Sequence, residues 1–349
     1  MIHIGIDHHK KWDQVVALND AGTVILERQL SGNRESWEQL KSELPSGEPT
    51  QSVLEAGWNW GKAYDLLEEA GFNPKLANPL KVRLIAESFI KTDRRDALAL
   101  AQLLRMGWIP EVHVPAREVR DQKNLLRQRA WLVQERTRIK NRIHAILDRN
   151  HVEPPVVSNL FGTRGKAWMN GLTLRAPDDV LLAAHRKLLE AVQAQMKEAE
   201  GWIDEALDGH ADLEILTSLP GVGKLFGALI ALEINGVGRF GSAEKLCAYS
   251  GLVASTYRSA ETAHHGGLIP GCNRHLRYAF IEAAWTAVRV SPYFSAYHRR
   301  LKARRGAQTA IGAAARRLCE VAFHCLRRRR FYVEKPYRFR PGRLVSVLA

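Results

Sequence analysis

Four carboxylates stand where the pattern of this chain changes: Asp7, Glu55, Asp93 and Asp96. Asp7 closes the apolar run Ile2-His3-Ile4-Gly5-Ile6, and Glu55 closes Gln51-Ser52-Val53-Leu54. Asp93 and Asp96 open the stretch Lys91-Thr92-Asp93-Arg94-Arg95-Asp96-Ala97-Leu98-Ala99-Leu100, and residues three apart share a helix face. Carboxylates delivered from two strand ends and one helix start can converge into a cage of hard oxygen ligands. Such a cage suits Mg²⁺, and two Mg²⁺ ions about 4 Å apart suit phosphodiester chemistry. The competing structural reading is local: Thr92 caps a helix whose dipole favours acids in its first turn, and Asp7 and Glu55 are strand-end surface residues. Each explanation serves two of the residues, and neither accounts for all four in this order.

A second chemical centre lies between Ser250 and Arg277, a polar, glycine-rich segment that reads as a loop inside a helical region. It offers Ser255, Tyr257 and Ser259 as hydroxyl nucleophiles able to conserve phosphodiester energy in a covalent protein–DNA link. Arg258, Arg274 and Arg277 are placed to neutralise charge on a transferring phosphoryl group. A third motif, Leu-Pro-Gly-Val-Gly-Lys over 219–224, resembles the turn of helix-hairpin-helix modules. Gly221, Gly223 and Lys224 there would meet a nucleic-acid backbone at a helix start.

Charge is unevenly spread. Residues 1–110 hold 13 Lys and Arg against 15 Asp and Glu, whereas residues 111–349 hold 38 against 22. A near-neutral head on a basic body is the footprint of a polyanion binder. From Arg289 onward there are 16 basic residues and 2 acidic ones, including Arg327-Arg328-Arg329-Arg330, and the end reads as a basic tail. The four cysteines, Cys247, Cys272, Cys319 and Cys325, show neither zinc-site spacing nor a disulfide framework. No apolar run is long enough for a bilayer and no secretory leader is evident, so a cytoplasmic protein without membrane contact is expected.

These centres must be held by elements of two kinds. Residues 1–110 read as α/β: strands over Ile2–Ile6, Trp12–Leu18 and Thr23–Leu30 joined by a turn at Asn19-Asp20-Ala21-Gly22, a helix over Arg34–Leu44, the Glu55 strand, a helix over Gly61–Ala70 and a short strand Lys75–Ala77. Residues 111–210 read as two long helices. Leu125, Leu132, Ile139 and Ile146 recur every seven residues over Arg117–Asn150, and Pro154-Pro155 follows. Leu181, Leu188, Val192, Ala199, Trp202 and Ala206 make the apolar stripe of the second, and together the two suggest an antiparallel hairpin or a dimerising coiled coil. Arg120, Lys123, Arg127, Arg136 and Lys140 crowd the other faces of the first and are its nucleic-acid contacts in this reading. Residues 211–335 read as mainly helical, with 336–349 as the tail.

Taken together, Gly-Ile-Asp-His-His-Lys, Glu-Ala-Gly around Glu55, Lys-Thr-Asp-Arg-Arg-Asp-Ala, Leu-Pro-Gly-Val-Gly, Tyr-Ser-Gly-Leu-Val, Ser259…His-Gly-Gly-Leu-Ile and Asn-Arg-His-Leu-Arg resemble the DEDD-type insertion-sequence transposases related to the Piv invertase, described as bridge-RNA-guided recombinases. The resemblance runs along most of the chain in order. It implies a RuvC-like (RNase H-like) α/β N-terminal domain in which Asp7, Glu55, Asp93 and Asp96 hold Mg²⁺, two ions by the family pattern. It further implies a helical coiled-coil middle and a mainly α C-terminal transposase domain whose serine nucleophile is Ser259 by position. Ala260 stands where the family carries Gly, which keeps Ser255 as the second candidate. The implied partners are target and donor DNA, a structured guide RNA, and further copies of the chain as a dimer assembling to a tetramer. The function expected is site-specific DNA cutting and rejoining through a phosphoserine link. Two other readings stand beside it: a metal-only RuvC-type nuclease acting on branched DNA, and a nucleic-acid-binding protein without catalysis.

Overall fold

The computed structural model describes residues 1–57, 59–86, 92–259 and 262–334, excluding the side chains of 257–259 and 262–265. The chain forms two compact units, Met1–Pro115 and Ala116–Ala349.

The first unit is a five-stranded mixed sheet in the order β3-β2-β1-β4-β5. Its elements run β1 (Ile2–His8), β2 (Asp13–Leu18), β3 (Val24–Leu30), α1 (Arg34–Glu43), β4 (Thr50–Glu55), α2 (Trp60–Glu69), β5 (Pro74–Ala77), α3 (Pro79–Ile85) and α4 (Asp93–Arg105). The first three strands are an antiparallel meander, turned at Gly22, whose φ of 83° is the left-handed conformation that a tight hairpin turn requires. The chain then crosses over through α1, so that β4 pairs β1 in parallel, and β5 pairs β4 in parallel through α2.

Strand alternation sorts the side chains. Ile2, Ile4, Ile6, Val15, Ala17, Leu54 and Leu76 point to one face and are covered by Trp37 and Leu40 of α1 and Ala63 and Leu67 of α2. Val16, Leu18 and Val53 point to the other, where Ala97, Leu100, Ala101 and Leu104 of α4 close over them. Gly5 on the central strand points that way too. A Cβ there would stand 1.9 Å from the Ala97 carbonyl oxygen and 2.5 Å from the Ala101 nitrogen. The helix backbone therefore lies directly on the strand, which only a glycine opposite two alanines permits.

The second unit is helical apart from one hairpin. It holds α5 (Arg117–Arg149), α6 (Thr163–Asn170), α7 (Asp178–Ala206), α8 (Leu213–Thr217), α9 (Lys224–Ile234), α10 (Ala243–Tyr249), the strands β6 (Ala254–Ser259) and β7 (Thr262–Leu268), then α11 (Arg274–Val290), α12 (Pro292–Arg305) and α13 (Ala307–Arg328). Helices α5 and α7 pack antiparallel: the Arg149 guanidinium pairs with Asp178 at one end, and the Gln122 amide donates to the Ala206 carbonyl at 2.8 Å at the other. Of the stripe expected on α7, Ala199 is buried and Val192 packs partly buried against the core, whereas the two leucines and the tryptophan are displaced by one residue. The buried side chains are Leu182, Leu189, Met196, Ala199 and Ile203, while Leu181, Leu188 and Trp202 are 39%, 50% and 46% exposed. Both stripes obey the same seven-residue period, and only the position of α5 decides which one faces inward.

Around α9 lies the core of the unit. Ile230, Ile234, Leu276, Phe280, Phe294, Leu318 and Leu326 come together there from α9, α11, α12 and α13. The strands Ala254–Ser259 and Thr262–Leu268 pair antiparallel as a hairpin, with Ala254 paired to Leu268 and Ser259 to Thr262, and this corrects the loop expected there. Ser255, Tyr257 and Ser259 alternate with Thr256 and Arg258 at the period of a strand, and Thr and Tyr favour extended backbone. The loop reading followed the glycines instead.

Among the described residues no helix is long and apolar enough to cross a membrane, and all four cysteines are free.

Replacing Gly5 by alanine forces a methyl group into the α4 backbone. Overpacking of this kind costs on the order of 1–3 kcal/mol, and contact with backbone rather than a yielding side chain puts Gly5→Ala at the upper end. Urea unfolding of the variant should show a midpoint lowered accordingly, whereas Gly47→Ala, where nothing lies within 4 Å, should lose only what its positive φ of 86° costs.

Candidate functional site

The strand that ends at His8 carries Asp7 on the same face as Gly5, and therefore on the side of the sheet that α4 covers. Glu55 occupies the equivalent place on the neighbouring parallel strand, one residue beyond the Ile6–Leu54 register pair and on the Val53 face. Thr92 starts α4 by accepting the Arg95 N–H at 3.3 Å through its hydroxyl, which puts Asp93 and Asp96 in the first turn. The Arg94 guanidinium donates to Glu27 of β3 at 2.7 Å and ties that turn to the sheet.

These placements bring Asp7 and Asp93 together with His9. His9 Nε2 lies 3.2 Å from Asp7 Oδ2 and 3.5 Å from Asp93 Oδ1. One ligand atom each from Asp7, His9 and Asp93 fall within 4.8 Å of one another, and all three residues are half-buried. His9 is held by its own backbone N–H, which donates to the Trp12 carbonyl at 3.0 Å, and by its ring lying against the Trp12 indole at 4.1 Å. Glu55 and Asp96 stand outside that trio, both half-buried, on the same side of the sheet. His9 lies just past the end of β1, where strand alternation gives no signal for it.

Burial raises the Asp7 carboxyl above its ordinary range; His9 opposes the shift, and the charges of Asp96 and Asp93 add to it. A carboxylate crowded by two others is the electrostatic condition that a divalent cation relieves. The donor set of carboxylate oxygens and one imidazole nitrogen fits a divalent cation. On the opposite face, Asp13 is 1% exposed and accepts from the half-buried His8 Nδ1 at 2.5 Å, a pair that fixes the end of β1 against β2 next to Asp7. Nothing in composition or spacing announced it.

In the second unit, Ser259 ends β6, and its side chain, like that of Arg258, lies outside the described residues, as does the expected basic tail 336–349. The Ser255 hydroxyl is engaged within the hairpin, donating to the Gly267 carbonyl at 3.1 Å.

Several expected nucleic-acid contacts have structural partners. Lys123 is 7% exposed and its ammonium lies 3.3 Å from the buried Glu233, which takes it out of any surface contact. Its place on α5 explains why: Lys123 and Leu126 are the buried residues at this end of the helix. The Arg277 guanidinium donates to the Ile269 carbonyl and so clamps the hairpin's return strand. A Cβ at Gly221 (φ 79°) would stand 2.2 Å from the Ala283 carbonyl, which makes that turn a close approach to α11. Lys224 pairs with Asp204 at 2.8 Å. Lys140 lies 4.7 Å above the Phe161 ring, with its pKa lowered by burial and by Arg136 and Lys166. Arg120 and Arg136 are half-buried, Arg127 and Arg274 are exposed, and open space surrounds Gly223.

Two sequence-family models match along the chain. Residues 4–152 match the DEDD transposase model of the IS110 type, and residues 213–299 match the model described as the IS116/IS110/IS902 transposase family. Together they cover more than half of the sequence. The chain belongs to the IS110/IS116/IS902 family of DEDD transposases. The first match includes all four carboxylates and His9, and the second includes Ser259 and Glu233.

Among its relatives, the Sinorhizobium fredii protein y4qE, which carries a transposase name, is 26% identical over 73% of this chain and 62% of its own length. The 43.6 kDa protein of insertion element IS110 from Streptomyces coelicolor is 33% identical over 44% of this chain and 38% of its own length. The chain thus spans less than two thirds of these two. The transposase for insertion sequence element IS1111A of Coxiella burnetii is 25% identical over 94% of this chain and 90% of its own length.

Two measurements check the site. The raised Asp7 pKa means that the folded chain holds a proton the unfolded chain has already released, so metal-free stability falls as pH rises from the ordinary carboxylate range through the raised value. Asp7→Asn removes that part of the pH slope in urea unfolding with chelator present. Wild type and variant with parallel slopes would refute the assignment. If His9 is a ligand, Mn²⁺ bound to the wild type shows nitrogen hyperfine coupling in electron spin-echo spectra, and His9→Ala abolishes it and weakens Mn²⁺ binding about 10-fold or more.

Proposed function

We propose that this family member is a DNA recombinase that moves an insertion element, cutting and rejoining strands through a phosphoserine intermediate at Ser259. The observation that carries the reading is the gathering of Asp7, His9 and Asp93 at one strand end, on the side of the sheet that also holds Glu55 and Asp96, in a chain whose family model spans all five. Asp7, Glu55, Asp93 and Asp96, with His9, would hold Mg²⁺. A bound divalent cation supplies charge neutralisation at a scissile phosphate and lowers the pKa of an oxygen nucleophile.

The chemistry falls to residues of the second unit. The Ser259 hydroxyl gives up its proton and its oxygen attacks phosphorus. A phosphoserine ester forms as the bond from phosphorus to the 3′ oxygen breaks, and that oxygen takes up a proton as a free hydroxyl. Attack by the hydroxyl of the exchanged strand reverses each change and regenerates the serine. Arg274, exposed in the first turn of α11, is the described arginine available to balance charge on the phosphoryl oxygens.

Support for DNA as substrate comes from the excess of basic residues after position 110 and from relatives named as transposases. The resemblance to the Piv-related recombinases adds a structured guide RNA that pairs with target and donor DNA, leaving the protein to read backbone and shape. It also pairs the two centres across protomers of a dimer that assembles further on two duplexes.

The test is covalent trapping. Protein co-expressed with its element's RNA is incubated with Mg²⁺ and end-labelled DNA of both kinds, denatured and run on a gel. An adduct that disappears in Ser259→Ala, in Asp7→Ala and on chelation of the metal is the expected result. Cleaved strands without adduct, unchanged in Ser259→Ala, would make this a hydrolytic nuclease. Binding without any cleavage would leave a nucleic-acid-binding protein.

A further inference from the structure

Glu233 is the most deeply buried acidic side chain among the described residues of the helical unit, 2% exposed on α9, and the chemistry above does not use it. Its carboxylate joins segments far apart in sequence. Oε2 lies 3.3 Å from the Lys123 ammonium of α5 and accepts from the Asn273 side-chain amide at 2.8 Å. Oε1 is buried with no hydrogen bond and lies 3.6 Å from the guanidinium of Arg127, which is 48% exposed on the basic helix. A lone buried carboxylate would be expelled or protonated, so the cluster persists because Lys123 supplies the opposite charge.

Asn273 is where this cluster meets the hairpin. Its Oδ1 caps α11 by accepting the Leu276 N–H at 3.0 Å, and its backbone N–H donates to the Tyr249 carbonyl at 2.9 Å. Its amide also reaches the Tyr249 hydroxyl at 3.2 Å. Tyr249 ends α10, just before β6, and Asn273 follows β7, so the pair closes the base of the hairpin that carries Ser259. The Ile269 N–H donates to the Val253 carbonyl at 3.1 Å one step further along. Glu233 thus links the hairpin base, through Asn273, to Lys123 of the basic helix α5.

We infer that Glu233 is a positioning residue for strand cleavage, holding the base of the Ser259 hairpin in fixed relation to the basic helix α5 through Asn273 and Lys123. This rests on Ser259 being the nucleophile. The carboxylate meets neither DNA nor the reacting atoms; it fixes where the hairpin starts, and a hairpin free to tilt at its base presents its far end in many orientations instead of one. Positional freedom at a nucleophile costs rate more than it costs binding.

The decisive comparison is between two double variants of the full-length protein, each freed of the unpaired buried charge that a single change would leave. Glu233→Gln with Lys123→Met keeps an oxygen that accepts from Asn273, whereas Glu233→Leu with Lys123→Met keeps the volume and removes the acceptor. Single-turnover formation of the covalent adduct and the DNA concentration at half-saturation are measured for both. The Gln variant should react within threefold of wild type. The Leu variant should form adduct more than tenfold more slowly while half-saturating within twofold, and Asn273→Ser, which keeps the helix cap, should share its defect. Equal rates for the Gln and Leu variants would overturn the positioning role while the wild-type adduct stands. An adduct that survives Ser259→Ala would overturn the nucleophile assignment, and this inference with it.

Discussion

The contact on which the N-terminal unit depends is the seating of α4 on β1 at Gly5. Two alanines, Ala97 and Ala101, and one glycine allow helix backbone to meet strand backbone. Because Asp7 lies two residues beyond Gly5 and Asp93 one turn before Ala97, that single contact sets the distance between the carboxylates. A larger side chain at any of these positions would lift the helix and carry Asp93 and Asp96 with it. The small residues are thus part of the site even though they carry no chemistry. The Arg94–Glu27 ion pair and the Thr92 cap refine a placement that the close packing has already made. Both partners of that pair are well exposed, at 59% and 37%, so it contributes orientation more than stability.

Concentrating acids at one strand end works against folding unless something compensates. His9 does part of this, lying within reach of both Asp7 and Asp93, yet burial and the other acids still push the Asp7 carboxyl upward. The site is therefore left with an unfavourable excess of negative charge, which gives it affinity for a cation. Asp13, buried two residues from the strand turn, shows the alternative arrangement. It is paired at 2.5 Å with His8. Two carboxylates within the same few residues of chain thus have different surroundings: one satisfied by a histidine, one crowded.

Much of this was legible from the residues themselves. The three-strand meander, the helix leading to the Glu55 strand and the helix opening at Asp93 follow from apolar alternation, a glycine turn and a threonine cap, all of them local signals. His9 was not legible as a candidate ligand, because a histidine after a strand gains meaning only when the helix that begins at Asp93 arrives beside it. The inward stripe of α7 was not legible either: 181/188/202 and 182/189/196/203 have the same period, and the choice between them belongs to α5. The hairpin at 254–268 was masked by its glycines, although the alternating Ser255, Tyr257 and Ser259 carried the strand signal.

The basic body of the chain gives the sharpest case of composition overstating function. A count of Lys and Arg after position 110 treats every one as available to a polyanion. In the folded unit Lys123 faces Glu233, Arg129 donates to Glu200, Arg138 to Glu135, Arg149 to Asp178, Lys224 to Asp204, and Arg316 and Arg317 to Glu320. Most of these pairs bind one helix to another, or one turn to the next, which is the work a salt bridge does inside a helical fold. Those in the open can exchange an acid for a phosphate at little cost, since exposed pairs are worth only about 0–1 kcal/mol. Lys123 cannot, because leaving Glu233 would strand a buried carboxylate. The distinction between a basic residue that reads DNA and one that holds the protein together therefore lies in the burial of its acidic partner, which no count of charges contains.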